Sequence, residues 1–158
     1  MLIPLRDRSV LRLSGEDTRK LLQGIITNNV TLLESQPVIF SALLNPQGKF
    51  LHDFFLVRDG DDLLLETETI QMERLLKLLT LYRLRAKITF TPLSHWHVYA
   101  STQPYIDHNA VAYADPRHPD MGMRILSPHP LFTAIANDYS EFSFQDVLVV
   151  QGEEDFSV

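Results

Sequence analysis

Val38-Ile39-Phe40-Ser41-Ala42-Leu43-Leu44, followed by Asn45-Pro46-Gln47-Gly48-Lys49 and then Phe50-Leu51-His52-Asp53-Phe54-Phe55-Leu56-Val57, is the stretch on which the fold turns. Two apolar runs with β-branched and aromatic members flank a segment whose Asn, Pro and Gly each favour chain reversal. An antiparallel hairpin is therefore expected, with strands over 38–44 and 50–57. Asp59-Gly60-Asp61-Asp62 turns the chain again into Leu63-Leu64-Leu65-Glu66-Thr67, which makes three antiparallel strands in a row.

On the N-terminal side, Val10-Leu11-Arg12-Leu13 alternates and predicts a short strand. Ser14 is a good N-cap with Asp17 three residues on, so a helix is expected to start at Ser14 and to stop near Gly24. On the C-terminal side, residues 69–84 carry apolar side chains at Ile70, Leu75, Leu78, Leu79 and Tyr82. Met72, Leu76 and Leu81 widen that face, and the spacing predicts a long amphipathic helix. Ile88-Thr89-Phe90-Thr91 alternates as a final strand. The order strand, helix, three strands, helix, strand predicts an α+β fold, a mainly antiparallel sheet with two packed helices. After Pro92 the texture changes. His95–Ala100 and Met121–Leu126 are expected as strands, and 101–120, rich in Pro, Asp, Asn and His, as loops.

The chain has 158 residues, a net charge of −6 and no Cys. Without Cys there is no disulfide framework, thiolate zinc site or cysteine nucleophile. The acidic balance speaks against nucleic-acid binding. No apolar run approaches the roughly 18 residues of a membrane span. Met1–Arg8 lacks a basic region followed by an apolar stretch, so no leader is read and a cytoplasmic protein is expected.

No phosphate-binding loop, dinucleotide fingerprint, nucleophile elbow or metalloprotease helix occurs. His95 and His97 share a strand face, while His108, His118 and His129 fall in loops, and no convergent metal set follows from them. Asp53 draws notice because a carboxylate on an apolar strand needs either solvent or a partner. Its neighbour His52 would point to the opposite face. Three polar clusters remain: Gln23 with Thr27, Asn28 and Asn29 after the first helix; Asn45 to Lys49 at the hairpin turn; and Tyr82, Arg83, Arg85 and Lys87 at the end of the long helix. Together they offer amide hydrogen bonds and positive charge, which suits a flat polar heterocycle with an acidic tail.

In order and spacing these clusters, Leu22-Gln23-Gly24-x-x-Thr27-Asn28-Asn29-Val30, Asn45-Pro46-Gln47-Gly48-Lys49 and Tyr82-Arg83-Leu84-Arg85-Ala86-Lys87, resemble the N-terminal part of the YgfZ family. Those are folate-binding proteins related to the glycine-cleavage aminomethyltransferase. Asp115-Pro116-Arg117-x-Pro119-x-Met121-Gly122-x-Arg124 is similar to a further family segment, and the resemblance covers residues 5–126. It implies a GcvT/YgfZ-like folate-binding N-terminal domain, with tetrahydrofolate or a one-carbon derivative as cofactor. It also implies a role in assembly or repair of iron–sulfur proteins, including those that modify transfer RNA.

By that resemblance the folate-binding candidates are Gln23, Thr27, Asn28, Asn45, Lys49, Asp53, Tyr82, Arg83 and Arg85. Asp53 would hold the pteridine, and the cations would meet the glutamate tail. The domain expectation is a folate-binding-type α+β domain over 1–92, the start of a second β-rich subdomain over 93–126, and a divergent or truncated tail over 127–158. The family's later Lys-Gly-Cys segment has no counterpart here. Expected partners are the folate, an iron–sulfur client protein and a second copy of the chain. The competing readings are a folate-dependent aminomethyl transferase, with Asp53 polarising the substrate amine, and a remnant that binds nothing or serves as an interaction scaffold.

Overall fold

The computed structural model describes residues 1–131. In chain order the strands and helices are β1 (Leu2–Pro4), β2 (Arg8–Ser14), α1 (Thr18–Ile25), β3 (Val38–Leu44), β4 (Phe50–Asp59), β5 (Asp62–Glu68), α2 (Thr69–Arg83), β6 (Thr89–Pro92), β7 (His97–Ser101), β8 (Val111–Ala114) and β9 (Met123–Ser127). Short 3₁₀ turns occupy Val30–Glu34 and Pro119–Met121. The α+β class with two helices and antiparallel sheets is as expected.

Residues Arg8–Ser94 form one compact unit. Its five strands pair antiparallel in the order β3-β4-β5-β2-β6. Strand side chains alternate between faces, so the register defines two surfaces. Ile39, Leu56, Leu65 and Leu11 stand in one row across the sheet. This row, with Leu13, Leu43, Phe54 and Leu63, forms a core with Leu22 of α1 and Leu75 and Leu79 of α2. The opposite surface carries the row Phe40, Phe55, Glu66 and Val10.

The long helix follows its predicted span but buries a narrower face. Only Leu75 and Leu79 are fully buried, with Met72, Leu76, Leu78 and Tyr82 partly so. Ile70 and Leu81 are exposed. At 3.6 residues per turn, Ile70 lies about 140° round the helix from Leu75, and Leu81 about 200° from Leu79. Both fall outside the stripe that meets the sheet.

The first helix starts later than expected. Ser14 stays in β2, paired with Thr89 of β6, and the helix begins at Thr18 with Asp17 at the cap position. Gly15, at φ 127°, makes the bend between them. The Thr18 hydroxyl donates to the Gly15 carbonyl at 2.8 Å. Gly24 does not end the helix, which runs one residue further to Ile25.

The second unit joins Met1–Asp7 to the described residues from His95. Its sheet has the order β1-β7-β9-β8, again antiparallel. Leu2 to Pro4 therefore pair with β7 rather than with the strands of the expected 1–92 domain. β8 was hidden in the segment read as loops, where Pro, Asp and Asn on either side outweigh four residues of strand pattern. Arg117 grips buried Asp115 through two bonds, Nε to Oδ1 at 2.9 Å and Nη2 to Oδ2 at 2.7 Å. The part of the 127–158 tail from residue 132 onward lies outside the described residues.

Candidate functional site

Most of the first polar cluster is engaged in holding the chain. The Gln23 carbonyl oxygen accepts the Val30 N–H at 2.8 Å, the first amide of the 3₁₀ turn. The Thr27 hydroxyl accepts from the Ala42 N–H at 3.0 Å, and the Thr27 N–H donates to the Ala42 carbonyl at 3.0 Å. The Asn28 amide donates to the Phe40 carbonyl at 2.9 Å. These bonds occupy the outer edge of β3, an edge that would otherwise present free backbone groups. Asn45 is similarly engaged: its Oδ1 accepts the Gln47 and Lys49 N–H groups at 3.0 and 2.8 Å, closing the hairpin turn. Lys49 is exposed at that tip.

Asp53 lies on β4 opposite Ala42, on the surface with Phe55 and Glu66 rather than on the helix-covered core. It is half-buried, and its carboxylate makes no hydrogen bond or ion pair with a described residue. On the same surface Arg8 and Glu66 form a buried ion pair at 2.5 Å, with side chains 5% and 0% exposed. Sequence reasoning missed this pair, because partners 58 positions apart leave no local signal.

His52 takes the other face, buried with the core, and neither ring nitrogen has a hydrogen-bond partner among the described residues. Burial lowers its pKa. The nearby Gln71 amide pulls against this, Arg74 adds to the lowering, and Asp53 opposes it. Below the ordinary value of 6.5 the unfolded chain takes up a proton that the folded chain refuses, so stability falls as pH drops through that value. A His52→Leu variant is expected to escape this loss. Its stability advantage over wild type should grow by up to about 1.4 kcal/mol per pH unit between about pH 6.5 and 5, read by urea unfolding. Parallel pH dependences of the two proteins would refute the assignment.

Tyr82, Arg83 and Arg85 come together at the end of α2, across a groove from α1. The groove has a volume of about 400 Å³, and Lys20, Leu21, Gly24 and Ile25 form its other wall. Arg83 is partly engaged, donating to the Ile88 carbonyl at 3.3 Å with its guanidinium 5.7 Å from the Phe90 ring centroid. Lys87 pairs with Glu16 at 3.0 Å on the surface. The structure thus collects the cations in one groove on the helix side and leaves Asp53 on the other side of the sheet. It does not assemble the candidate residues into one pocket. Among the described residues no three His, Asp or Glu side chains converge as a metal site, and no helix is long and apolar enough to cross a membrane.

No protein-family profile matches the chain. It is 32% identical, over 78% of its length, to the mitochondrial iron–sulfur cluster assembly factor IBA57 homolog of Pyricularia oryzae, covering 35% of that protein. It is 33% identical over 74% of its length to the Mycosarcoma maydis homolog, covering 34% of it. To human IBA57 it is 31% identical over 78% of its length, covering 42% of that protein. The chain thus spans between a third and somewhat over two-fifths of these relatives. The expectation of a cytoplasmic protein is overturned, since each of these relatives is mitochondrial by name. In structure it resembles the glycine cleavage system aminomethyltransferase T of Bartonella henselae, with a TM-score of 0.67 at 13% identity, covering 80% of this chain and 41% of that one. The chain is therefore similar in sequence to part of the mitochondrial IBA57 iron–sulfur cluster assembly factors, and over 80% of its length its fold resembles part of the glycine-cleavage aminomethyltransferase.

Proposed function

We propose that this chain is a tetrahydrofolate-binding member of the YgfZ family that serves iron–sulfur protein assembly, with Asp53 as the anchor of the pteridine ring. The observation that carries the folate reading is the half-buried Asp53 carboxylate, left without a described partner on the surface away from the helices. The aminopyrimidine edge of a pterin offers an amino group and a ring N–H side by side. One carboxylate can accept from both, and charge-assisted pairs of this kind are about twice as strong as neutral ones. A half-buried position strengthens the pair by excluding competing water. When bound, the reduced folate supplies a one-carbon carrier.

The iron–sulfur role rests on the printed names of the relatives. Radical enzymes that modify transfer RNA are the proposed clients, as the family resemblance implies. A second copy of the chain is the proposed means of enclosing the ligand.

Calorimetric titration with tetrahydrofolate and its 5-formyl derivative, on samples of measured mass, tests the reading. Micromolar binding is expected, with one ligand per chain or per pair of chains. Asp53→Asn should weaken it about 10- to 100-fold, the equivalent of one charged hydrogen bond. Absence of binding at millimolar ligand, or full affinity in Asp53→Asn, would overturn it.

A further inference from the structure

The groove between α1 and the end of α2 combines three features. Its lining includes an apolar set, Leu21, Ile25 and Tyr82. Its rim is basic: Lys20 and Arg85 are exposed and paired with no described residue. The one carboxylate in the lining, Asp17, accepts the Lys87 N–H at 2.8 Å and is already engaged there. A locally positive, largely apolar groove on a chain of net charge −6 is complementary to acidic groups attached to an apolar surface.

The third feature is Leu84. It follows α2 at φ 47° and ψ −111°, a quadrant that glycine enters freely and a branched side chain enters with strain. It is also 85% exposed, and Leu81 one turn earlier is 65% exposed. The chain therefore holds a leucine in a costly backbone conformation and points it at solvent beside the groove. The conformation opens a tight turn that the Ala86 N–H closes on the Arg83 carbonyl at 2.8 Å, but nothing in the folded unit covers the exposed side chain, whereas a partner would. A small ligand filling 400 Å³ would leave Leu81 outside, so the pattern fits a longer occupant.

We propose that this groove docks an acidic, amphipathic segment of a partner protein, whose apolar face lies on Leu21, Ile25, Tyr82 and Leu84 and whose carboxylates meet Lys20 and Arg85. The interaction is of the helix-in-groove type, with apolar anchors giving affinity and the rim charges giving orientation and rate of association. It is independent of folate at Asp53, which lies on the other surface of the sheet.

The probe is a fluorescently labelled helical peptide with Leu and Phe on one face and Glu on the other, followed by anisotropy with the full chain. Binding is expected, weakening as salt rises. The double variant Lys20→Glu/Arg85→Glu should lose at least about tenfold in affinity, while circular dichroism shows the fold retained. Leu84→Gly should raise the melting temperature, by relieving strain, and at the same time weaken the peptide. A peptide with Lys in place of Glu should not bind. The proposal is overturned if the Glu-faced peptide fails to bind, or if the Lys-faced peptide binds equally. It is equally overturned if the charge reversals change nothing. Binding of p-aminobenzoyl-glutamate in place of the peptide would assign the groove to a small carboxylate. Self-association abolished by Arg85→Glu would assign it to a second copy. Either result would overturn the partner docking.

Discussion

Glu66→Ala is expected to lower the unfolding free energy by about 3–5 kcal/mol, because it removes one member of a buried ion pair and leaves the other charge in the interior. Glu66 is fully buried and Arg8 nearly so, and their contact closes at 2.5 Å on the same surface of the sheet as Asp53. The loss is one of desolvation. The Arg8 guanidinium was removed from water on folding and would no longer have its carboxylate. It follows that replacing both members together, as Arg8→Met with Glu66→Leu, should recover most of the loss, since a packed apolar pair carries no such penalty. Equilibrium urea unfolding at neutral pH compares the wild type, the single variant and the double variant. A single-variant loss below about 1 kcal/mol would show the pair to be no more than a surface-like contact. The same comparison has a bearing on the proposed pteridine surface. If the ion pair shapes that surface, tetrahydrofolate affinity should fall in the double variant even where stability returns.

Gly15→Ala should be nearly as damaging, through the backbone. A Cβ at this position would lie 2.1 Å from the Lys87 carbonyl oxygen and 3.0 Å from the Ile88 Cα, and the residue sits at φ 127°. Neither contact is with a flexible side chain, so the two segments must move apart. Strain at such a φ and overpacking against backbone together cost about 2–5 kcal/mol. The movement would also break the bond from the Lys87 N–H to the Asp17 carboxylate, which ties the start of α1 to the segment after α2. Gly24→Ala is the matched control. Nothing lies within 4 Å of a Cβ there, so the helix should gain up to about 1 kcal/mol. Thermal unfolding of the two variants beside wild type is expected to show opposite signs. A melting temperature for Gly15→Ala within error of wild type would contradict the close approach.

The value of these contacts explains why some of the fold was legible in advance and some was not. The hairpin 38–57, the third strand and the long helix are recorded in local signals: the alternation of side chains, the Asn-Pro-Gln-Gly turn and a helical apolar period. They emerge at their expected places because each signal acts over a few residues. The start of α1 was misread at Ser14 because the local capping pattern competes with a ladder to Thr89, and the ladder prevails. β1 and β8 were missed for a related reason. Three or four residues carry little period of their own, and pairing with β7 and β9 makes them strands.

The candidate residues divide the same way. Their types were legible, but their tasks were not. Gln23, Thr27, Asn28 and Asn45 look in sequence like ligand-binding amides and a hydroxyl, yet each satisfies a backbone group of a nearby turn or edge. Asp53 remains a candidate after folding because no described side chain answers it.

By itself the sequence determined the order of elements from β2 to β6, the antiparallel α+β class and the family resemblance. Only the tertiary structure decided which polar groups are engaged inside, that Asp53 and the helix-end cations face opposite sides of one sheet, and that a basic groove stands beside an exposed, strained Leu84. The physical reason is distance along the chain. Propensity and turn chemistry operate between near neighbours, whereas burial and hydrogen-bond partnership are settled by residues such as Arg8 and Glu66, 58 positions apart, or Asp17 and Lys87, 70 apart.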